Sequence, residues 1–149
     1  MSREWNKKSI KISMVLCIII YAAIAVFAVG IPFFTKTLLS RGGYSDLTGV
    51  VNVLLYLSLP PALIATAFLH KLLININRGE IFCRQNIVIL RILAWACFAV
   101  GVIYLLFAHH ITLCLIVSFA AFFFFMMLRV IKNVFCEALV LKQENDLTV

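Results

Sequence analysis

Side chains able to bind a metal ion come together at one point of this sequence, where His109 and His110 precede Cys114. His110 and Cys114 are four residues apart, a spacing that places two ligands on one face of a helix. No carboxylate joins them in the local sequence, and imidazole rings also suit a membrane surface. We therefore predict no metal site and no cofactor, and interpret both histidines as residues of a surface turn.

Patterns typical of catalytic sites are missing from the sequence. It contains no Ser-His-Asp order, paired carboxylates, HExxH motif or glycine-rich phosphate loop. The cysteines show no CxxC spacing, so we expect neither a disulfide nor a structural metal site. They are Cys17, Cys83, Cys97, Cys114 and Cys136. We predict no catalytic residue, and an enzyme is the least favoured class.

The elements that must position any functional residue are membrane spans. The chain has 149 residues, 64% of them hydrophobic and only 13% charged. A soluble domain of this length could not bury so much apolar surface. As helices, four apolar segments would each extend about 27–33 Å, close to the hydrocarbon thickness. We predict an all-α fold in which 1–149 form one four-helix transmembrane bundle, with spans at 12–31, 49–69, 87–108 and 111–128.

The distribution of Lys and Arg predicts the orientation of these spans. The N-terminal segment, the middle linker and the tail hold eleven of these residues, whereas the other side holds Lys36 and Arg41. Both termini are therefore expected in the cytoplasm, and Arg91 can snorkel to that surface. The net charge of +7 is then explained by attraction to anionic lipids of the cytoplasmic leaflet. No nucleic-acid partner is expected, because the cations are dispersed.

The stretch NINRGEIFCRQN is the polar interruption between the second and third spans. Gly79 is expected to adopt a positive φ and end the second helix. Cys83 is predicted at the N-cap of the third helix, with Asn86 reaching back toward the cap and Phe82 and Ile87 forming a hydrophobic staple. We interpret this stretch as a structural turn at the cytoplasmic surface.

Other local patterns predict how the spans bend, begin and pack. Pro60 and Pro61 remove backbone donors in the middle of the second span, which predicts a kink. Ser45 or Asp46 is expected to cap the second helix, and the side chains of 122–125 are interpreted as facing lipid. A stripe of small residues in the third span predicts a helix–helix seam, either within the bundle or, as the less favoured alternative, between two copies of the chain in a homo-oligomer. The stripe consists of Ala94, Cys97, Gly101 and Ala108.

The residues of the turn and the tail together resemble a known family. The run G-x-x-F-(Ser/Thr)-x-x-N, followed by Leu-Arg-x-Ile/Leu-Ala, occurs here as Gly79, Phe82, Cys83, Asn86, Leu90, Arg91, Leu93 and Ala94, and the chain closes with LKQENDLTV. This resembles the small four-span bacterial membrane proteins catalogued as domain of unknown function 2975, except that Cys83 replaces the usual Ser or Thr. The resemblance implies an inner-membrane protein without assigned activity, whose gene often neighbours that of a small helix-turn-helix regulator.

The tail, residues 129–149, is predicted to continue the fourth helix into the cytoplasm with one broad apolar face. Asn145 and Asp146 are expected to stop this helix and leave 147–149 extended. Such a face needs cover from the middle linker, lipid headgroups, a second copy of the chain or another protein. The candidate partner-binding residues are Glu137, Leu141, Glu144, Asn145, Asp146, Leu147, Thr148 and Val149.

Two functional classes remain open. The first is a non-enzymatic regulatory protein whose tail binds a cytosolic partner, such as a small helix-turn-helix regulator. The alternative is a small permease or channel-like transporter of a neutral solute, or a lipid-associated membrane component. A neutral solute is favoured because the spans contain no Asp, Glu or Lys for ion coupling. Polar residues available either to line a cavity or to bridge helices are Asn52, Ser58, Thr66, Tyr104 and Ser118.

Overall fold

The computed structural model describes residues 2–79, 81 and 83–147, and the side chains of 11–79, 81 and 83–145. In this part of the chain four long α-helices form and no strand is present. This confirms the all-α fold predicted from hydropathy. The helices are α1 (Ser2–Arg41), α2 (Thr48–Asn77), α3 (Arg84–Phe107) and α4 (Leu113–Leu147).

The helices pack in the order of the sequence. α1 packs on α2, α2 packs on α3, and α3 packs on α4. Over the described residues, no other pair of helix backbones is in contact. The bundle is therefore an open row without a closed four-helix core. α3 is the most enclosed member, with eight buried residues against three in α2.

The connection between α1 and α2 is shorter than the sequence suggested, because α1 continues through Pro32 to Arg41. Gly43 turns the chain with a φ of 76°, and a single 3₁₀ turn leads into α2. The predicted cap at Ser45 or Asp46 is wrong, since Leu47 holds the N-cap position without a side-chain capping bond. Leu47 already has helical φ and ψ, so the 3₁₀ turn leaves no extended residue to act as a cap.

Among the described side chains, two polar contacts join α1 to α2. Pro32 lacks the N–H that would bond the Ala28 carbonyl, and the Tyr56 hydroxyl donates to that carbonyl across 3.4 Å. One helical turn away, the Thr35 hydroxyl donates to Asn52 Oδ1 across 2.6 Å. Because hydrocarbon offers no water to satisfy such groups, these contacts fix how the two helices face each other.

The small-residue seam predicted in the third span is confirmed as a contact between α3 and α4. Ala94 and Gly101 are buried, and a Cβ added at Gly101 would lie 2.9 Å from Cε1 of Phe122. The Ser118 hydroxyl donates to the Gly101 carbonyl across 2.8 Å. The absence of a side chain at Gly101 therefore allows an aromatic ring to lie against the α3 backbone.

The lipid-facing interpretation of 122–125 is half wrong. Phe122 and Phe125 pack on Phe98, with ring centroids 5.6 Å and 5.2 Å away, whereas Phe123 and Phe124 are exposed. Residues three apart share one side of a helix, so the first and last residues of the run, Phe122 and Phe125, face α3.

Candidate functional site

The turn between α2 and α3 is ordered by backbone hydrogen bonds. α2 ends at Asn77, with Arg78 as its C-cap, and Gly79 has a φ of 83°. The Gly79 N–H donates to the Ile76 carbonyl across 3.0 Å. The predicted role of Gly79 is confirmed, because its left-handed conformation allows the chain to leave the helix here.

Cys83 holds the predicted N-cap position of α3. Its φ of −133° and ψ of 153° are extended, and its side chain makes no capping hydrogen bond. Its carbonyl accepts the N–H groups of Asn86 and Ile87 at 3.1 Å and 3.4 Å. Glu80 and Phe82 lie outside the described residues, so the staple between Phe82 and Ile87 stays a prediction.

Asn86 is the most enclosed polar residue of the turn, with 0% of its surface exposed. Its Oδ1 accepts a hydrogen bond of 2.8 Å from Asn75 Nδ2, and its own Nδ2 donates to the Ile81 carbonyl across 2.7 Å. Asn75 Nδ2 also lies 3.3 Å from Gln85 Oε1. The amide of Asn86 therefore joins the end of α2, the turn and the start of α3. The sequence analysis missed Asn75, although NINRGEIFCRQN begins and ends with these two asparagines.

Three cations meet in a cavity between α3 and α4 that the sequence analysis also missed. Arg91, Arg129 and Lys132, which we call the basic pocket, enclose about 310 Å³ together with Trp95 and neighbouring apolar residues. No carboxylate lies among the described residues that line it. Arg91 lies sixteen residues before the end of α3 and Arg129 sixteen residues after the start of α4, so the two residues are at the same level of this helix pair.

One aromatic contact holds part of the basic pocket in place. The guanidinium carbon of Arg129 lies 5.6 Å from the centroid of the Phe125 ring, a cation–π distance. Phe125 is itself packed on Trp95, with centroids 6.2 Å apart. Arg129 is thus positioned by packing between helices, although its charged group stays exposed.

The tail is helical further than predicted. α4 continues through Asn145 and Asp146 to Leu147, so the expected stop at 145–146 and an extended conformation at Leu147 are both wrong. Asn and Asp disfavour a helix interior by only about 0.7 kcal/mol each, and neither Gly nor Pro follows them. Thr148 and Val149 lie outside the described residues.

One side of the tail presents a strip of neighbouring residues that belong to α4 alone. Val130, Val134 and Leu141 are 60%, 60% and 59% exposed. At 100° per residue they lie on roughly the opposite side of α4 from Ser118, which faces α3. We call this strip the tail face, and it consists of Val130, Asn133, Val134, Glu137, Ala138 and Leu141.

The predicted partner-binding residues are only partly brought together. Glu137 and Leu141 both line the tail face. Glu144 and Asn145 follow on the same helix, are exposed and make contacts of their own. The backbones of Asp146 and Leu147 are helical, while their side chains lie outside the described part of the structure.

Most of the polar residues considered as the lining of a solute path instead form hydrogen bonds, either within their own helix or to a neighbouring helix. Asn52 and Ser118 bridge neighbouring helices, whereas Ser58 and Thr66 donate to carbonyls of their own helix. Tyr104 and Ser58 line a groove shared by α1, α2 and α3 whose other walls are apolar. Among the described residues, no three His, Cys, Asp or Glu side chains converge to hold a metal ion.

Four helices long and apolar enough to cross a membrane define the chain as a multi-pass membrane protein. Its sequence belongs to the family described as "Protein of unknown function (DUF2975)", whose model matches residues 6–149. No curated protein and no solved structure matches the chain. The resemblance inferred from the turn and the tail is therefore confirmed at the level of the family.

Proposed function

We propose that this chain is a non-enzymatic, partner-binding protein of the bacterial inner membrane, with both termini in the cytoplasm. Its tail face binds a cytosolic protein by a helix-in-groove contact. The asymmetry of eleven cations against two supports this orientation. The partner favoured by the family resemblance is a small helix-turn-helix regulator.

The proposal is based on the length by which α4 extends beyond α3, the helix on which it packs. α4 has 35 residues, about 52 Å at helical rise, while the hydrocarbon layer is about 30 Å thick. About 22 Å of helix therefore extends beyond the hydrocarbon. Among the described residues, α3 is the helix whose backbone lies against α4; it begins at Arg84 and cannot cover all of this extension.

The chemistry of the tail face indicates what a partner would offer. Val130, Val134 and Leu141 recur at spacings of four and seven residues, as in helices that dock into apolar grooves. Glu137 lies between them in the tail face. A matching surface would present an apolar groove with a Lys or Arg positioned opposite Glu137.

A charge placed in the tail face tests this proposal. Full-length protein carrying Val134→Glu is co-expressed with any small helix-turn-helix regulator found to be encoded beside its gene. The amount of this regulator recovered with purified membranes is then measured. We expect a loss of about tenfold or more, since burying an unpaired charge disrupts an apolar contact. Val140→Glu makes the same change at an exposed valine of the same helix, outside the tail face, and should preserve recovery.

Two results would overturn the proposal. One is equal recovery with both variants and with the unaltered chain. The other is a reporter fused after Val149 that is active only in the periplasm, because the tail would then be separated from every cytosolic protein. The alternative of a small permease is less supported, since most of the candidate polar residues bond to their own or a neighbouring helix.

A further inference from the structure

We propose that the basic pocket binds the phosphate group of an anionic phospholipid at the membrane surface. Arg91 enters the pocket from α3, and Arg129 and Lys132 enter from α4. This inference goes beyond the proposed function, because it does not require the tail face to bind a protein.

The first argument is electrostatic. Three cations converge with no carboxylate among the described lining residues, and Arg129 and Lys132 are one helical turn apart, where like charges repel. An anion bound between the two helices would relieve that repulsion. A lone snorkelling arginine accounts for Arg91 but not for the two cations that approach it from the neighbouring helix.

The second argument is depth in the membrane. Arg91 and Arg129 are each separated by sixteen residues from the end of their helix at the α3–α4 turn, about 24 Å at helical rise. In a hydrocarbon layer about 30 Å thick, this places them near the membrane surface opposite that turn. Trp95 lies one helical turn deeper and is 58% exposed, as expected of an aromatic residue near an interface.

The third argument is the geometry of the donors. The guanidinium carbon of Arg129 lies 5.6 Å from the centroid of the Phe125 ring, and a guanidinium carries five N–H donors that can bind phosphate oxygens. A cavity of about 310 Å³ accommodates a headgroup, while exposed Trp95 offers apolar surface to the acyl chain. Basic pockets between transmembrane helices are a known mode of anionic headgroup binding.

Quenching of Trp95 by labelled lipid tests the proposal. Full-length protein carrying Trp5→Phe retains one tryptophan and is placed in phosphatidylcholine nanodiscs. Brominated phosphatidylglycerol or brominated phosphatidylcholine is then included at equal mole fractions. We expect stronger quenching by the anionic lipid, and we expect Arg129→Gln or Lys132→Gln to lower this preference by about fivefold each.

The control is Lys142→Gln, which removes one exposed cation of α4 outside the pocket and should leave the preference unchanged. Arg129→Lys keeps the charge and should retain most of the preference, which separates loss of charge from misfolding. Equal quenching by both lipids would overturn the proposal, as would equal effects of Arg129→Gln and Lys142→Gln. Displacement of the lipid by inorganic phosphate would assign the pocket to a soluble anion instead.

Discussion

Asn75 in the last turn of α2 donates a hydrogen bond of 2.8 Å to Asn86 in the first turn of α3. Both side chains are buried, and Asn86 also donates to the Ile81 carbonyl between the two helices. A buried amide with several partners is costly to remove, because each partner left behind loses its hydrogen bond. The polar stretch between the second and third spans is therefore a fixed connection.

Replacing Asn86 with Ala is expected to lower the free energy of unfolding by about 1–3 kcal/mol, since Asn75 and the Ile81 carbonyl would lose a partner. The measurement is denaturant unfolding of the detergent-solubilised protein, followed by circular dichroism. Asn77→Ala changes an exposed asparagine of α2 and should stay within about 0.5 kcal/mol of the unaltered chain. Equal effects of the two substitutions would contradict the structural role of Asn86.

Replacing Cys83 with Ser is expected to stabilise the start of α3 by about 0.5–1 kcal/mol, because serine is a far better N-cap than cysteine. The extended backbone at Cys83 already suits a capping hydroxyl. A thermal melt in detergent measures the change. Cys136→Ser alters an exposed cysteine within α4 and should give no stabilisation; a neutral or harmful Cys83→Ser would rule out the capping prediction.

Replacing Gly101 with Ala is expected to destabilise the α3–α4 contact by about 1–3 kcal/mol through overpacking. The new methyl group would lie 2.9 Å from the Phe122 ring, which is itself held against Phe98. Gly49→Ala places a methyl group in open space on α2 and should be neutral or stabilising. Unfolding midpoints of the two variants, compared in one detergent, check the prediction; a neutral Gly101→Ala would contradict this close approach.

Replacing Thr35 with Val is expected to weaken the α1–α2 contact by about 0.6 kcal/mol, the average for hydrogen bonds between membrane helices, and by no more than about 1.7 kcal/mol, the largest value. It removes the donor to Asn52 Oδ1 and keeps the shape of the side chain. Thr37→Val removes only a bond to the Phe33 carbonyl of the same helix and should have little effect. If thermal melts show the reverse order, the Thr35–Asn52 contact does not hold the helices together.

Features encoded by local pattern were predictable from the sequence. Hydropathy over windows of about twenty residues identified the four spans, because insertion depends on the composition of each segment. Gly79 and Cys83 were placed correctly since helix ends follow the types of a few consecutive residues. The seam at Ala94 and Gly101 followed from small residues at helical spacing.

Features that depend on how two helices are aligned were not predictable in the same way. The pairing of Asn75 with Asn86 and the convergence of Arg91 on Arg129 both require the relative position of neighbouring helices. Composition does not fix that position. The end of α4 was misplaced for a different reason: Asp146 has an unfavourable helix propensity, but the cost is small enough for the helix to continue.

The open row of helices has a consequence for how this protein is made. Within the described part of the chain, each helix backbone contacts only its neighbours in the sequence, so the loops that join contacting helices are short and little entropy is lost on closing them. During synthesis from the N-terminus, each span after the first would find the helix that it packs against already in the bilayer. Assembly can therefore proceed step by step from the N-terminus, and no early span waits for a late one.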